Sequence, residues 1–451
     1  MKKILMLGAG MVAKPMADYL LQQGFNLTIA SRTVSKAKKL IGQHNNGSAI
    51  EWVTENTDKL EKLVESHDLT ISLLPYTFHL LVAKLCIKHK KNMVTTSYSS
   101  ADMNALDEEA KKAGVLILNE IGVDPGVDHM TAMQIIDKVH EDNGKIKKFY
   151  SLCGALPAPE EANNPFNYKF TWSPKGVLMA SNNGAKYLHD KNTIEIPTKN
   201  LFKNPLQYEF EDLGSMEVYP NRDSLKYIDM YNIAETETMY RGTFRYPNWC
   251  ESLDAIKALG MLDYKIQDFN DKSYKEIVAA QINVYPKNVK EKVAEKLNLE
   301  LQSPAIRAME WLGFFDKDTV QIKNGSTFEL TSGLMQNKMM LPDGARDVVL
   351  MLHSFLVEKE NGKKEVITAR MVEYGDKDNT AISRTVALPA AIAAKLILAG
   401  KINETGVKIP ATKSIYMPVL HELAQVGIEM KTEYGLPLTE LPQLPPQEFT
   451  W

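Results

Sequence analysis

Lys3-Ile4-Leu5-Met6-Leu7 runs directly into Gly8-Ala9-Gly10-Met11-Val12-Ala13, and this junction decides the fold. A short buried strand that breaks into Gly-x-Gly and then into a helix is the phosphate-binding turn of a doubly wound sheet. Its glycines allow a tight turn and let the backbone approach a pyrophosphate, whose charge sits at the helix N-terminus. Ala13 fills the third glycine position, where only close helix–strand packing is required. The helix is predicted over Met11–Gln23, with Pro15 near its first turn, where a missing N–H is tolerated. A second strand, Phe25–Ala30, ends where the residue that reads the ribose belongs, and the chain there is Ser31-Arg32-Thr33, without an acid. An aspartate would accept from a 2′-hydroxyl and repel a 2′-phosphate, whereas Arg32 between two hydroxyls suits the phosphate. The alternative for Arg32 is a solvated arginine at a helix start. The pattern favours NADP over NAD.

The alternation continues. Leu69–Leu74, Asn92–Thr96 and Val115–Asn119 read as buried strands, and Phe78–His89 and Ala101–Ala113 as helices. Strands alternating with helices of this length give βαβ units and a parallel sheet. Ligands of such sheets lie beyond the carboxyl ends of the strands. That places Leu74-Pro75-Tyr76, Thr95-Thr96-Ser97-Tyr98 and Glu120-Ile121-Gly122-Val123-Asp124-Pro125-Gly126 at the wall of the site.

Composition excludes several classes. The 451 residues carry 53 Lys plus Arg against 56 acids, a net charge of −3, so no polyelectrolyte partner is implied. No nucleic-acid-binding motif is visible. Cys86, Cys153 and Cys250 are far apart and odd in number, which suits neither a disulfide framework nor a metal site and fits a reducing compartment. The core strand at the N-terminus leaves no room for a signal peptide, and the apolar stretch Val386–Leu398 is too short to span a bilayer and carries Lys395. A soluble, cytoplasmic protein without metal or membrane partner is expected.

After Asp124-Pro125-Gly126 the character changes. Asp128 is the expected N-cap of a helix ending near His140. Ile146–Cys153 and the runs around Phe170-Thr171-Trp172-Ser173, Tyr219–Ser224 and Met239–Tyr246 suggest a mixed sheet. Helices are predicted at Cys250–Leu259, Tyr274–Ile282, Asn288–Leu297, Ala305–Leu312 and Ala345–Leu356. Phe355–Glu358 and Glu365–Tyr374, joined at Asn361-Gly362, form a hairpin. Val386–Ala399 is a helix expected to pack on the first domain, and Gly435–Trp451 an extended Pro-rich tail. The α/β chain thus divides into a Rossmann domain (1–124 with 387–451), a mixed-sheet α+β domain (125–247 with 345–386) and a helical insertion (248–344).

The stretches GAGMVAKP, IASRT, HDLTISLLPYTFH, VTTSYSS, LNEIGVDPGVDH, CGALPAP, YKFTWSPKGVL, YPNRDS, RGTFRYP, GARDVVLMLH and ALPAAIAAKLIL resemble the saccharopine reductases, the NADP-dependent, glutamate-forming saccharopine dehydrogenases. The resemblance covers nearly the whole chain. It implies an enzyme that condenses the amine of glutamate with 2-aminoadipate 6-semialdehyde and reduces the imine with NADPH to saccharopine, reversibly. It also implies a homodimer formed through the mixed-sheet domain.

Saccharopine carries carboxylates and a secondary amine, so its pocket needs cations in fixed positions. By the resemblance, Arg222 and Arg245 clamp carboxylates, Thr243 and Phe244 join them, and Ser97, Tyr98 and Asp124 meet the reacting end of the substrate. For either arginine the alternative is a surface salt bridge. Tyr98 could hydrogen-bond a carboxylate or pass a proton; alternatively its hydroxyl is satisfied locally. Asp124 could hold the cationic amine or iminium, or serve as an Asp-Pro-Gly turn former. The cofactor cradle comprises Gly8, Gly10, Met11, Val12, Ser31, Arg32, Thr33, Ser72, Leu73, Leu74, Thr96, Ser97, Val123, Asp124 and Ser173. Trp172 borders the cofactor or belongs to the core. Cys153 and His129 are not favoured as acid or base: a lone cysteine is usually packing, and His129 opens a helix. Two other functions fit the same fold: a related carboxyalkyl-amine reductase acting on a polyamine imine, such as a carboxynorspermidine dehydrogenase, and a non-catalytic NADP sensor.

Overall fold

The computed structural model describes residues 1–211 and 213–446; the last part of the expected tail, 447–451, lies outside them. The chain forms two compact units. Met1–Gly144 with Ala369–Thr432 make the first, and Lys145–Thr368 with the described residues from Glu433 onward make the second.

The first unit begins with β1 (Lys3–Leu7), α1 (Ala13–Gln22), β2 (Asn26–Ser31), α2 (Val34–Ile41), β3 (Gly47–Glu51), α3 (Thr57–Ser66) and β4 (Leu69–Ser72). It continues with α4 (His79–Lys88), β5 (Asn92–Val94), α5 (Ala101–Asn104), α6 (Asp107–Ala113), β6 (Leu116–Leu118) and α7 (Val127–Glu141). With the strand Gly406–Lys408 these build a seven-stranded sheet in the order Gly406–Lys408, β6, β5, β4, β1, β2, β3, every pair parallel. Ile4, Leu5, Met6 and Leu7 are fully buried, as expected of a parallel strand with helices on both faces. Three sequence readings are corrected here. The helix expected over Ala101–Ala113 is two helices. Asp128 is not an N-cap: Gly126 holds that place, and the Asp128 carboxylate accepts from the Gly126 N–H at 2.6 Å and the His129 N–H at 2.8 Å. The apolar C-terminal helix spans Ala381–Leu398, long and apolar enough to cross a membrane, yet it is mostly buried in this unit, with α1 as a neighbour.

The second unit is framed by β7 (Lys145–Pro157), β8 (Ala185–His189), β9 (Asn192–Ile196), β10 (Leu206–Phe210), β11 (Gly214–Pro220) and β12 (Thr238–Arg245). The mixed sheet runs β10, β11, β12, β7, Asp347–Glu358, Lys364–Tyr374, Lys431–Leu436, with β8 on β12 and β9 on β8. Asp347–Glu358 overturns the predicted helix Ala345–Leu356. All of its residues but the last are buried, because it lies in the middle of the sheet with neighbours on both sides. A strand covered on both faces is a continuous apolar run, and periodicity alone does not separate it from a buried helix. The hairpin turning at Gly362 is present; the edge strand Lys431–Leu436 takes in Gly435 and Leu436 of the expected extended tail, and Leu438–Glu440 within that tail is a turn of 3-10 helix.

The unit boundaries also differ from the three-part division. The helical stretch belongs to the second unit: Trp249, which opens its first helix Trp249–Ala258, is fully buried with its ring 4.4 Å from Tyr168 and 6.3 Å from Phe166. Residues 125–144 and 369–386 go with the first. There Tyr416 donates to Asp137 of α7, and Arg384 pairs with Glu373.

Gly242 shows how tightly β12 is packed. A Cβ there would meet Val218 Cγ1 at 2.5 Å, Tyr240 at 2.8 Å and Leu152 at 3.0 Å. Gly242→Ala is expected to destabilise the fold by roughly 1–3 kcal/mol, as overpacking does. A lowered urea midpoint at unchanged slope checks this, and an unshifted midpoint contradicts it.

Candidate active site

At the end of β1 the glycines divide their work. Gly8 has φ +110°, and a Cβ on it would come 3.1 Å from the Leu73 carbonyl oxygen, so the turn requires glycine. Gly10 has nothing within 4 Å of an added Cβ, which leaves its backbone facing open space at the start of α1. No side chain caps α1; its first N–H, that of Ala13, donates to the Gly10 carbonyl at 3.2 Å, and an anion at this helix start would meet the remaining N–H groups of the turn. Met11 is exposed, and Val12 holds the N-cap place. At the end of β2, Ser31 Oγ accepts from the Thr33 N–H at 3.3 Å. Arg32 is exposed there and has no carboxylate partner among the described residues. These residues fit a dinucleotide carrying a 2′-phosphate.

Beyond β4 and β5 lies a buried hydroxyl–imidazole cluster. Ser72 Oγ is 2.9 Å from His79 Nδ1, and His79 Nε2 is 2.8 Å from Ser97 Oγ and 3.3 Å from Thr95 Oγ1. Burial pushes the His79 imidazole down to about 4, so it is neutral at physiological pH. Leu73 follows β1 through an N–H bond to the Leu7 carbonyl, and Leu74 and Thr96 are partly buried beside it in sequence and at the next strand end.

The next strand ends bring Tyr98 and Asp124 together, the phenol donating to Asp124 Oδ1 at 3.1 Å. The segment that carries Asp124 is closed by Gly122 N–H to the Pro125 carbonyl at 2.8 Å and Val127 N–H to the Gly122 carbonyl at 2.9 Å, and Val123 is buried within it. Asp124 is therefore both a turn residue and a hydrogen-bond partner. Glu120 supports both loops from below. Its backbone N–H donates to the Ser97 carbonyl, one carboxylate oxygen accepts from the Ser99 N–H at 2.9 Å, and the other lies 2.9 Å from His129 Nε2. His129 thus does more than open a helix: it is fully buried and paired with a buried acid.

The second unit holds the other candidates. Arg245 is 3% exposed, and its guanidinium lies 4.9 Å from the Tyr168 ring, 5.3 Å from Trp249 and 5.5 Å from Tyr219. It donates to the Phe244 carbonyl at 2.7 Å and the Tyr219 hydroxyl at 3.2 Å, while its Nε donates to nothing. Among the described residues no carboxylate pairs with it. Thr243 stands on the same face of β12, opposite Tyr219 of β11. Burial raises the Tyr219 phenol, while the positive charges of Arg245 and Arg222 pull it down, so both arginines act on one hydroxyl. Phe244 points to the other face, among Tyr208 and Phe210 at 5.9 and 5.6 Å, and only its carbonyl reaches the Arg245 group. Arg222 is exposed at φ +53° and lines a cavity of about 470 Å³ with Lys186, Glu195 and Asp223. Ser173 caps the helix Pro174–Ser181 through the Gly176 N–H at 3.2 Å, and Trp172 packs against Gly176. Cys153 is half-buried on β7.

The sequence assigns no role to His79 or Tyr219, and names Glu120 as part of a loop at the wall of the site without a role of its own. No local pattern marks them, since their partners lie 7 to 26 residues away.

A doubly wound unit with this turn, an arginine at the ribose-reading position and a second unit built around an unpaired buried cation defines an NADP-dependent oxidoreductase. More particularly, the chain belongs to the saccharopine dehydrogenase family. Residues 4–118 match the saccharopine dehydrogenase NADP binding domain, and residues 122–428 the saccharopine dehydrogenase C-terminal domain. The saccharopine dehydrogenase [NADP(+), L-glutamate-forming] of Schizosaccharomyces pombe is 37% identical over 446 residues, covering 96% of this chain and 99% of that protein. The mitochondrial alpha-aminoadipic semialdehyde synthase of Rattus norvegicus is 35% identical, and the match covers 97% of this chain but 48% of that protein. The solved apo saccharopine dehydrogenase (L-Glu forming) of Saccharomyces cerevisiae superposes with a TM-score of 0.89 at 34% identity, covering 96% of this chain and all of that one.

Two outcomes are expected. Arg32→Asp, which removes a charge-assisted hydrogen bond worth roughly 1.5–3 kcal/mol and adds repulsion, raises the KM for NADPH at least about tenfold and narrows the preference over NADH. Equal kcat/KM ratios for the two cofactors in wild type and variant would refute it. His79 makes the fold sensitive to acid. The unfolded chain binds its proton near pH 6.5 and the folded chain only near 4, so stability is full above about 6.5 and falls toward 4, by up to about 3 kcal/mol. Urea unfolding at pH 7 and 4.5 should show a smaller drop for His79→Gln than for wild type.

Proposed function

We propose that this chain is an NADP-dependent, glutamate-forming saccharopine dehydrogenase, reducing the imine of L-glutamate and 2-aminoadipate 6-semialdehyde to saccharopine and running the reverse oxidation. NADPH, when bound, supplies the hydride, and the turn after β1 with Arg32 would hold it. The protein's own part is positioning and charge. Arg245 binds a substrate carboxylate in a desolvated, aromatic-walled place, where the pair is stronger than in water. Asp124 stabilises the iminium cation and loses that interaction when the nitrogen becomes a neutral amine. Tyr98 fixes the Asp124 carboxylate and lies at hand to pass a proton. A homodimer in the cytoplasm belongs to the same proposal.

The observation that carries the reading is Arg245, a buried guanidinium without a carboxylate of its own. A polyamine imine has fewer carboxylates to offer it, so the tri-acid fits better. The Tyr98–Asp124 pair is intact, as a catalyst requires and a mere sensor does not.

Purified protein with saccharopine and NADP(+) should generate NADPH absorbance, and with glutamate, the semialdehyde and NADPH should consume it. Arg245→Met should raise the KM for saccharopine roughly 10- to 150-fold, matching a charged hydrogen bond of about 1.5–3 kcal/mol, and leave the KM for NADP(+) unchanged. Thermal stability should hold or rise, because an apolar side chain replaces an unpaired buried charge. No turnover in either direction refutes the function.

A further inference from the structure

At the carboxyl end of the parallel sheet one imidazole serves three hydroxyls. His79 is 4% exposed, Ser72 and Thr95 are buried, and Ser97 is half-buried. Three O–H groups and one N–H need acceptors, but a neutral imidazole offers one lone pair. Among the described residues Ser72 Oγ has His79 Nδ1 as its partner, at 2.9 Å. Thr95 Oγ1 reaches Nε2 at 3.3 Å and accepts from the Ser97 N–H at 3.4 Å. A buried hydroxyl proton left without an acceptor is costly, so the lone pair goes to one of these two. The shorter contact gives it to Ser72. Nε2 then carries the ring proton and donates to Ser97 Oγ at 2.8 Å. If Thr95 took the lone pair at Nε2, Nδ1–H would donate to Ser72 and the protons of both Ser72 and Ser97 would be left over; in either arrangement the ring takes no proton from Ser97, the one of the three hydroxyls that is not buried.

We propose that neutral His79 is a positioning residue that turns the Ser97 hydroxyl proton outward, making Ser97 a hydrogen-bond donor to an oxygen of the bound reactants. The proposal rests on the function given above. The recognised group is an acceptor oxygen, supplied either by the nicotinamide carboxamide or by a substrate carboxylate. Its placement agrees with the fold, because Ser97 follows β5, where ligands of such a sheet lie. A protonated ring would donate from both nitrogens and deny Ser72 its acceptor; burial holds the ring neutral, with a pKa of about 4.

The test uses the full chain and the variants Ser97→Ala, His79→Phe, the double variant and His79→Gln, with kcat, both KM values and melting temperature measured for each. Ser97→Ala should raise one KM about 5- to 10-fold, the scale of a neutral hydrogen bond. The KM for NADP(+) rises if the carboxamide is the acceptor, and that for saccharopine if a carboxylate is. His79→Phe should raise the same KM, and the double variant should do no more than Ser97→Ala alone. His79→Gln, whose amide keeps a donor and an acceptor, should stay near wild type in KM. A His79 that only supports the fold would lower the melting temperature and the active fraction with both KM values unchanged; that result, or additive effects in the double variant, overturns the proposal. Should His79→Phe fail to fold, Ser97→Ala with unchanged KM values overturns it, and a raised KM in Ser97→Ala beside a normal His79→Gln supports it. Wild-type protein without saccharopine turnover refutes the function alone. The same variants are then compared by the dissociation constants for NADPH and for saccharopine, where no change of either in Ser97→Ala overturns the positioning role.

Discussion

The reversal of strand order at β1 is the constraint on which the first unit is built. β2 and β3 lie to one side and β4 to β6 to the other. The connections leaving β1 and β4 therefore part to opposite faces, and a crevice opens between them at the carboxyl ends. Gly8 sits so close to the Leu73 carbonyl that neither loop has room for another atom there. The polar groups beyond β4, β5 and β6 follow from their strands: Ser72 from β4, Thr95 to Tyr98 from β5, Glu120 to Asp124 from β6. His79 joins them because α4 begins at the same end of the sheet.

Arg245 poses a different physical problem. A guanidinium taken out of water loses hydration that one carbonyl and one phenol do not replace. The rings of Tyr168, Tyr219 and Trp249 offset part of that loss, since a desolvated cation–π contact is worth up to about 2 kcal/mol. What they leave unmet is an anion. The same low dielectric that makes the empty arrangement costly strengthens the interaction with an arriving carboxylate. On the proposed function, stability would be given up locally so that binding gains, a common arrangement at functional sites.

How much could be read in the chain follows from where each signal resides. The turn at Gly8 and Gly10, strands such as Leu69–Ser72, and the helices Tyr274–Gln281 and Val289–Leu297 were legible because their cause is local: an apolar run, a glycine, a helical spacing. α2, β3 and α3 carry a weaker local signal, being polar on their outer faces, with Gly47–Glu51 an edge strand that buries little. Asp347–Glu358 was misread because full burial erases the period that tells strand from helix. The site divides in the same way. Arg32, Tyr98, Asp124, Arg222 and Arg245 stand in distinctive strings. His79 looked like one polar residue in an apolar helix, Glu120 like a loop acid and Tyr219 like a strand tyrosine, because only the fold brings their partners near.

Charge at the level of the whole molecule contributes little. With 53 cationic side chains against 56 acids there is no broad field to draw in a dinucleotide or a tri-acid. On the proposed function, recognition would come from single donors held in place: helix N–H groups and Arg32 for phosphate, Arg245 for carboxylate. The reaction adds an opposite demand, since the imine nitrogen is most electrophilic when it is cationic. Arginines there would suppress that cation, and an unshielded acid would trap it. On the proposed function, a carboxylate that already accepts from a phenol, as Asp124 does from Tyr98 at 3.1 Å, would meet both limits. It would stabilise the iminium while the charge lasts and hold the neutral amine less tightly once the hydride has arrived, so the proposed interaction would be strongest on the side of the reaction where it lowers the barrier.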